Sequence, residues 1–141
     1  MFGTRVLQLG FSGKEEKNSH VPHNYTINRV VYTGTHDYAP ILCWFNQLRG
    51  EERAKLFNYF NIHEEEAGRE QLTSVLIRSI FGSVSKFAII PMQDILRLAN
   101  SQDRMNTPCK IDGCWQWQFR WSQLTNQMKS ELRKLVEWYQ R

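Results

Sequence analysis

A chain of 141 residues is long enough for one domain, and its 41% hydrophobic and 13% aromatic content is too apolar for a disordered tail. Lys and Arg number 18 against 14 Asp and Glu, which gives a formal charge of +4. The basic residues are scattered along the sequence, so we expect a solvated basic surface and no nucleic-acid partner. The sequence also lacks an apolar run of the ~18 residues that a membrane-spanning helix needs, so we expect no membrane partner.

The cysteines and the first residues bear on the cellular compartment. Residues 1–11 have one early base and a short apolar run, without the small residues of a signal-peptidase site, which is more typical of a strand than of a signal peptide. The chain has 3 cysteines, an odd number that does not fit a disulfide framework. We therefore expect a reduced, cytoplasmic setting.

The first part of the chain alternates between strand-like and helix-like patterns. A short apolar run predicts a strand over residues 5–11, and the Gly, Pro, Asn and Ser content of residues 12–28 predicts a loop. The β-branched and aromatic residues of 29–35 predict a second strand. Pro40 suits the first turn of a helix, which we expect Gly50 to stop.

Two more helices and a third strand follow. Residues 51–60 carry Leu and Phe at helical spacing, and the acidic run 64–66 is placed at the start of a third helix, where the helix dipole favours it. An apolar run ended by its own proline predicts a third strand over residues 86–91. A short helix or turn over 93–98 and a loop over 99–114 come next.

The order of these elements indicates the fold class. A last helix is predicted from about Ser122 onward, capped by Ser122 or Thr125. Strands that alternate with helices predict an α/β fold with a parallel sheet. Three such strands cannot close a barrel and would leave two open sheet edges, so the chain resembles a piece of a larger unit.

The second strand leads directly into the most informative segment. Residues 30–32 are strand formers, and residues 33–35, Thr-Gly-Thr, let the backbone leave the sheet. His36 and Asp37 follow at the carboxyl end of a parallel strand, where ligand chemistry collects in sheets flanked by helices. The pattern alone predicts either a pair of site residues or a hydrogen-bonded strand end.

Several short segments form a recognisable set of motifs. They are residues 5–8 (Arg-Val-Leu-Gln), 22–25 (Pro-His-Asn-Tyr), 31–37 (Val-Tyr-Thr-Gly-Thr-His-Asp), 89–94 (Ile-Ile-Pro-Met-Gln-Asp), 104–108 (Arg-Met-Asn-Thr-Pro), Gly113, Trp115 and Trp117. They resemble the motifs of one enzyme family, the 4-α-glucanotransferases called amylomaltases or disproportionating enzymes, in the family's order and with family-like spacing over nearly the whole chain. Together they are a specific signal, whereas His-Asp or Gln-Asp alone would be a weak one.

The resemblance implies a fold larger than this chain. It makes residues 1–141 a single partial domain, the C-terminal portion of a TIM (β/α)8 catalytic barrel, with about three strands plus helices. A complete barrel needs about 250 residues. The rest would belong to a longer enzyme or to a companion chain that carries the N-terminal half.

The resemblance also implies an activity. The family transfers α-1,4-glucan segments between maltooligosaccharides by a retaining mechanism with an Asp nucleophile, a Glu acid/base and a third Asp, and it needs no cofactor. Asp37 matches the third Asp, which stabilises the transition state, and His36 matches a donor of a hydrogen bond to the same sugar. Retaining chemistry needs two carboxyl groups about 5–5.5 Å apart, and the other two carboxylates have no counterpart segment here. We therefore expect the isolated chain to be inactive.

The sequence departs from the family beside this candidate site. Residues 38–40 are Tyr-Ala-Pro where the family continues Asn-Asp-Thr, so a polar loop has become apolar. Further departures are Cys43 and Cys109 in place of Gly, Cys114 in place of Asn, and Gln116 and Gln118 in place of Arg. Relaxed constraint on a fragment and a retuned paralogue both account for these changes.

Other interpretations remain open. A non-catalytic maltooligosaccharide-binding module, or a structural remnant without a ligand, would carry the same motifs. The pairs His20–His23 and Cys109–Cys114 match zinc spacings loosely, but the family motifs already account for both loops, so we expect no metal. The alternate spacing of tryptophans 115 and 117 places them on one face, which favours burial over stacking on a ligand.

Overall fold

The computed structural model describes residues 3–12, 17–63 and 68–141. Within these residues one sheet contains three strands in chain order: β1 (Gly3–Val6), β2 (Arg29–Tyr32) and β3 (Phe87–Ile89). The α-helices are α1 (Ile41–Gln47), α2 (Gly50–Phe60), α3 (Arg69–Phe81), α4 (Met92–Ile95) and α5 (Asn126–Tyr139). Both strand pairs are parallel, so the predicted mixed fold with a parallel sheet is confirmed.

The register of the sheet separates a covered face from an open one. Arg5 pairs with Val31, and Val31 pairs with Ala88, so these side chains share one face. Val31 is fully buried and Ala88 packs against the core. On the other face, Phe87 and Ile89 are each 46% exposed. A half-covered parallel sheet is unusual, and its continuation into a barrel stays a prediction.

Helices α1, α2 and α3 supply most of the core on the covered face. The fully buried side chains include Leu42 of α1, Leu56 of α2 and Leu76 of α3. They belong to one apolar cluster with Leu7 and Phe11, which follow β1. Burying each such side chain stabilises the fold by about 2 kcal/mol, so this layer is a firm base for the loops at the sheet edge.

The strands are shorter than the sequence predicts. β1 is Gly3–Val6 rather than residues 5–11, because the chain turns at Leu7–Phe11 into a 3-10 helix whose apolar side chains enter the core. β2 stops before position 35, where the backbone has already left the sheet. β3 spans 3 of the residues predicted at 86–91.

The role predicted for Gly50 is wrong. Helix α1 already ends at Gln47, and Gly50 is the first residue of α2, where its φ of +49° is easy for a residue without Cβ. The prediction that the acidic run 64–66 begins the third helix falls outside the described residues, and α3 begins at Arg69.

The last helix begins later than predicted. Helix α5 starts at Asn126, and residues 121–123 form a separate 3-10 turn. Of the two predicted caps Thr125 is the one used, because its Oγ1 accepts a hydrogen bond from Met128 N at 3.2 Å. Leu135 packs α5 into the core. Neither α5 nor any other helix of the described residues is long and apolar enough to cross a membrane.

Candidate active site

A cavity of about 270 Å³ opens at the carboxyl ends of β2 and β3. Three segments that are distant in sequence line it: the loop after β2, the residues around the start of α4, and parts of residues 103–115. The loop after β2, residues 34–40, carries the predicted pair His36 and Asp37, and we call it the site loop. The cavity therefore lies at the edge of the sheet where the sequence predicts ligand chemistry.

His36 and Asp37 occupy the two central positions of a tight turn. Tyr38 N donates a hydrogen bond to Thr35 O at 3.0 Å, which closes the turn. The His36 Nε2 and Asp37 Oδ2 atoms are 3.3 Å apart, and the two side chains are 50% and 43% exposed. The two side chains are thus in contact with each other and accessible to a ligand; His36 lines the cavity, whereas Asp37 lies outside its lining.

A third residue, Asn106, holds this pair from a distant segment. Its Nδ2 donates to Asp37 Oδ1 at 2.5 Å, and its backbone N donates to His36 O at 3.0 Å. The sequence includes Asn106 in a family motif but does not reveal its contacts, because 69 residues separate it from Asp37. Asn106 is therefore a candidate site residue that sequence reasoning missed.

The indole of Trp115 lies beside His36, with ring centroids 4.9 Å apart. Trp115 is 63% exposed, so the burial predicted for it is wrong. Its φ of +62° is in the left-handed region, which breaks the alternation that would have placed it on one face with Trp117. An exposed indole beside an imidazole and a carboxylate offers an apolar surface to a ligand with polar edges.

A buried carboxylate, Asp94, contacts the residues that flank the site loop on both sides. Its Oδ2 accepts from Thr33 Oγ1 at 2.5 Å, and its Oδ1 accepts from Ile41 N at 2.7 Å. Asp94 is 1% exposed, and burial raises its pKa from the ordinary 3.8 to about 6, although the two hydrogen bonds act in the opposite direction. Asp94 also caps α1, because Pro40 at the N-cap position offers no side-chain acceptor.

Gln8 ties the second half of the site loop to the end of β1. Its Nε2 donates to Ala39 O at 2.8 Å, and its amide packs so closely on Gly34 that a Cβ there would lie 3.0 Å from Nε2. Tyr38, Ala39 and Pro40 all line the cavity, although Ala39 and Pro40 are themselves buried. The three apolar departures from the family therefore form part of the cavity wall.

The histidines with a loose zinc spacing have other partners. His20 Nδ1 accepts a hydrogen bond from Val6 N at 2.9 Å, and burial is the main cause that lowers its pKa. His23 Nδ1 lies 3.1 Å from the hydroxyl of Tyr59. In the part of the chain that the structure describes, no group of three His, Cys, Asp or Glu residues is placed to hold a metal ion.

Comparisons with known proteins agree on one family. The family model of the 4-alpha-glucanotransferases matches residues 1–125. The chain is 41% identical to the chloroplastic/amyloplastic 4-alpha-glucanotransferase of Arabidopsis thaliana, over 99% of this chain and 24% of that protein. It is also 41% identical to the 4-alpha-glucanotransferase of Aquifex aeolicus, over 99% of this chain and 27% of that protein.

A solved structure gives the same result. The amylomaltase from Streptococcus agalactiae in complex with acarbose matches this chain with a TM-score of 0.89 and 33% identity, over 100% of this chain and 28% of that one. This chain therefore spans about a quarter of the length of the relatives it matches. With the family model matched over residues 1–125 and relatives at 41% identity, the chain belongs to the 4-alpha-glucanotransferase family.

Proposed function

We propose that this chain forms part of the active site of a 4-α-glucanotransferase, and that its His36–Asp37 turn contacts the glucan at the bond being cleaved. Family membership supports the reaction class, which is transfer of α-1,4-glucan segments between maltooligosaccharides. The similar amylomaltase is in complex with acarbose, which supports an oligosaccharide as the ligand of this chain.

Asp37 is the proposed transition-state stabiliser. Asn106 fixes its Oδ1, and its Oδ2 lies beside His36, so the carboxylate is oriented before a ligand arrives. A carboxylate oriented in advance lowers the barrier when its hydrogen bonds to sugar hydroxyls tighten as the ring flattens toward an oxocarbenium ion. This oriented but accessible carboxylate is the observation that carries the proposal.

His36 is the proposed substrate-binding residue. Its side chain is 50% exposed beside Asp37, so a ring N–H can donate a hydrogen bond to the same sugar. Trp115 lies 4.9 Å from the imidazole between ring centroids and presents its exposed indole to the apolar face of a sugar ring. The three side chains together suit a ligand that combines hydroxyl groups with apolar ring faces.

We infer that the nucleophile and the acid/base belong to segments outside these 141 residues. The chain supplies one of the family's three carboxylates and spans 24% of the Arabidopsis relative. Phe87 and Ile89 leave one face of the sheet open, which the N-terminal part of a barrel would cover. In this proposal residues 1–141 are a partial domain, the C-terminal portion of a TIM barrel completed within a longer protein or by a companion chain.

Calorimetric titration of the 141-residue chain with acarbose and with maltotetraose tests the binding role. We expect saturable binding that weakens at least about tenfold in Asp37→Ala, because a charge-assisted hydrogen bond is lost. Asp112→Ala is the matched control, since Asp112 is an exposed carboxylate outside the site loop. Equal affinity of the wild type and Asp37→Ala would contradict the role of Asp37.

Activity assays separate the enzyme from a non-catalytic glucan-binding module, which the small share of the relatives' length also suits. We expect the isolated chain to produce no disproportionation products from maltotriose. Adding the Aquifex aeolicus enzyme without the segment that matches this chain should restore transfer if the chain is a working part of an enzyme. Glucan binding without restored transfer would favour the binding module.

The location of the protein stays a prediction. We expect a cytoplasmic setting from the odd number of cysteines. The names of the plant relatives assign those proteins to the chloroplast or amyloplast. Fractionation of cells that produce this protein would decide between the compartments.

A further inference from the structure

The site loop is held at both ends by one side chain. Thr33, the residue before the loop, donates a hydrogen bond from Oγ1 to Asp94 Oδ2 at 2.5 Å. Ile41, the residue after the loop, donates a hydrogen bond from its backbone N to Asp94 Oδ1 at 2.7 Å. The Thr33 and Asp94 side chains belong to segments 61 residues apart. The site loop is therefore closed by α4, the helix after the next strand, and not by its own sequence.

Burying a carboxylate at this position costs free energy. Asp94 is 1% exposed, and neither the Thr33 hydroxyl nor the Ile41 N–H that bonds to it carries a charge. A serine or asparagine in place of Pro40 would cap α1 at lower cost. Neither of these caps would supply two acceptor atoms on one rigid group, placed to bond both ends of the loop.

We propose that Asp94 is a positioning residue of the glucan site: by joining Thr33 to Ile41 it fixes the course of the site loop and so the placement of His36 and Asp37. This inference rests on the proposed function only in taking a glucan as the ligand, since the two hydrogen bonds of Asp94 exist without a ligand. Gln8 adds a third tie at Ala39 O, from the end of β1. Asp94 touches no ligand in this account and acts through the loop.

Two isosteric variants remove one feature each. Thr33→Val deletes the hydroxyl that donates to Asp94 and keeps the side-chain volume. Asp94→Asn removes the charge but keeps one oxygen for Ile41 N and an amide that can donate to Thr33 Oγ1, whose hydroxyl can reverse. The matched control is Thr73→Val, because Thr73 is equally buried and donates its hydroxyl to Arg69 O at 2.8 Å within α3.

Backbone amide exchange of the whole 141-residue chain, followed by NMR, measures directly how firmly the loop is held. In Thr33→Val we expect Ile41 N and Tyr38 N to exchange about tenfold faster, with the amides of α3 unchanged. The ring protons of His36, which lie against Trp115, should shift toward the values of an unstacked imidazole. Asp94→Asn should keep slow exchange at Ile41, and Thr73→Val should leave both readouts as in the wild type.

The outcomes are distinct. Faster exchange confined to the site loop and Ile41, together with the His36 shift, supports the inference. An unchanged loop in Thr33→Val, or acceleration spread evenly over the chain, overturns it. Glucan titrations of the same samples test the proposed function separately: if the wild type binds no glucan, the proposed function fails, while the exchange result still decides whether Asp94 positions the loop.

Discussion

Three hydrogen bonds hold the site loop on its buried side. Asp94 accepts from the flanking Thr33 and Ile41, and Gln8 donates to Ala39 O. On its open side the turn is about half exposed, and its contacts come from Asn106 and the Trp115 ring. The buried side uses groups that are costly to bury and pairs them with donors of fixed geometry. The open side keeps polar atoms within reach of a ligand.

This difference indicates that the two sides of the site loop have different roles. Hydrogen bonds made away from water are rigid and expensive to lose, so they suit the placement of a loop. Hydrogen bonds near solvent are cheap to exchange for those of a sugar, so they suit binding. Changes on the buried side should therefore alter stability, and changes on the open side should alter affinity.

The largest expected effect is the pH dependence of stability on the buried side. Burial raises the pKa of Asp94 from 3.8 to about 6. The folded chain holds this proton more tightly than the unfolded chain, so Asp94's contribution to the free energy of unfolding is full below about pH 4 and falls by about 3 kcal/mol as the pH rises past 6. Urea unfolding of the wild type and Asp94→Asn from pH 4 to 7 measures this. A constant difference between the two would contradict the raised pKa.

Gln8→Leu should lower the free energy of unfolding by about 1–2 kcal/mol, because Ala39 O loses its donor while the side-chain volume is kept. The buried Gln8 Oε1 has no hydrogen-bond partner, so its removal offsets part of the loss. Urea unfolding at pH 7 gives the value, and Gln102→Leu at an exposed position is the control. A loss no larger than that of Gln102→Leu would mean that the tie at Ala39 contributes nothing.

Asn106→Ala tests the open side of the site loop. It should cost about 1 kcal/mol of stability, because the bond it removes is partly exposed, but it should weaken acarbose binding about tenfold by freeing Asp37. Unfolding and calorimetry on the same sample separate the two effects. Thr107→Ala, at the next residue, is the control. Unaltered acarbose affinity in Asn106→Ala would show that Asp37 needs no orientation.

Cys109→Gly is the smallest expected change and a stabilising one. Cys109 is exposed with a φ of +67°, a left-handed conformation that costs a residue with a Cβ about 1 kcal/mol. The greater freedom of Gly in the unfolded chain removes part of the gain, so we expect about 0.5 kcal/mol. Thermal unfolding measures it, with Cys109→Ala as the control that keeps the Cβ. Destabilisation by Gly would mean that the thiol makes a contact that matters.

The sequence predicts the open side of the site better than the buried side. His36 and Asp37 follow a strand in the chain itself, so local pattern and family resemblance both lead to them. The tie from Asp94 to Thr33 spans 61 residues, and nothing in the local pattern distinguishes a carboxylate at the start of a short helix from an ordinary solvated one. Burial and the convergence of two donors are properties of the fold.

The errors in the predicted elements have a common physical origin. The prediction for Gly50 rests on the usual preference of glycine for helix ends, and that for Trp115 on alternate spacing. Both residues adopt positive φ, which period and propensity do not reveal. Strand β1 ends early because tertiary packing draws the apolar residues of Leu7–Phe11 into the core. In helix α3 the buried Leu72, Leu76 and Ile80 recur at helical spacing, and such a pattern is visible in the sequence.

Chemical-shift mapping of the 141-residue chain with maltotetraose shows directly where a glucan binds. We expect saturable shifts confined to the site loop and to residues 104–115, with the amides of His36, Asp37 and Asn106 among those that move most. The half-exposed sheet face around Phe87 and Ile89 should not respond. Shifts centred on that face, or no saturable shift in the site loop, would contradict the assignment of the glucan site to the His36–Asp37 turn.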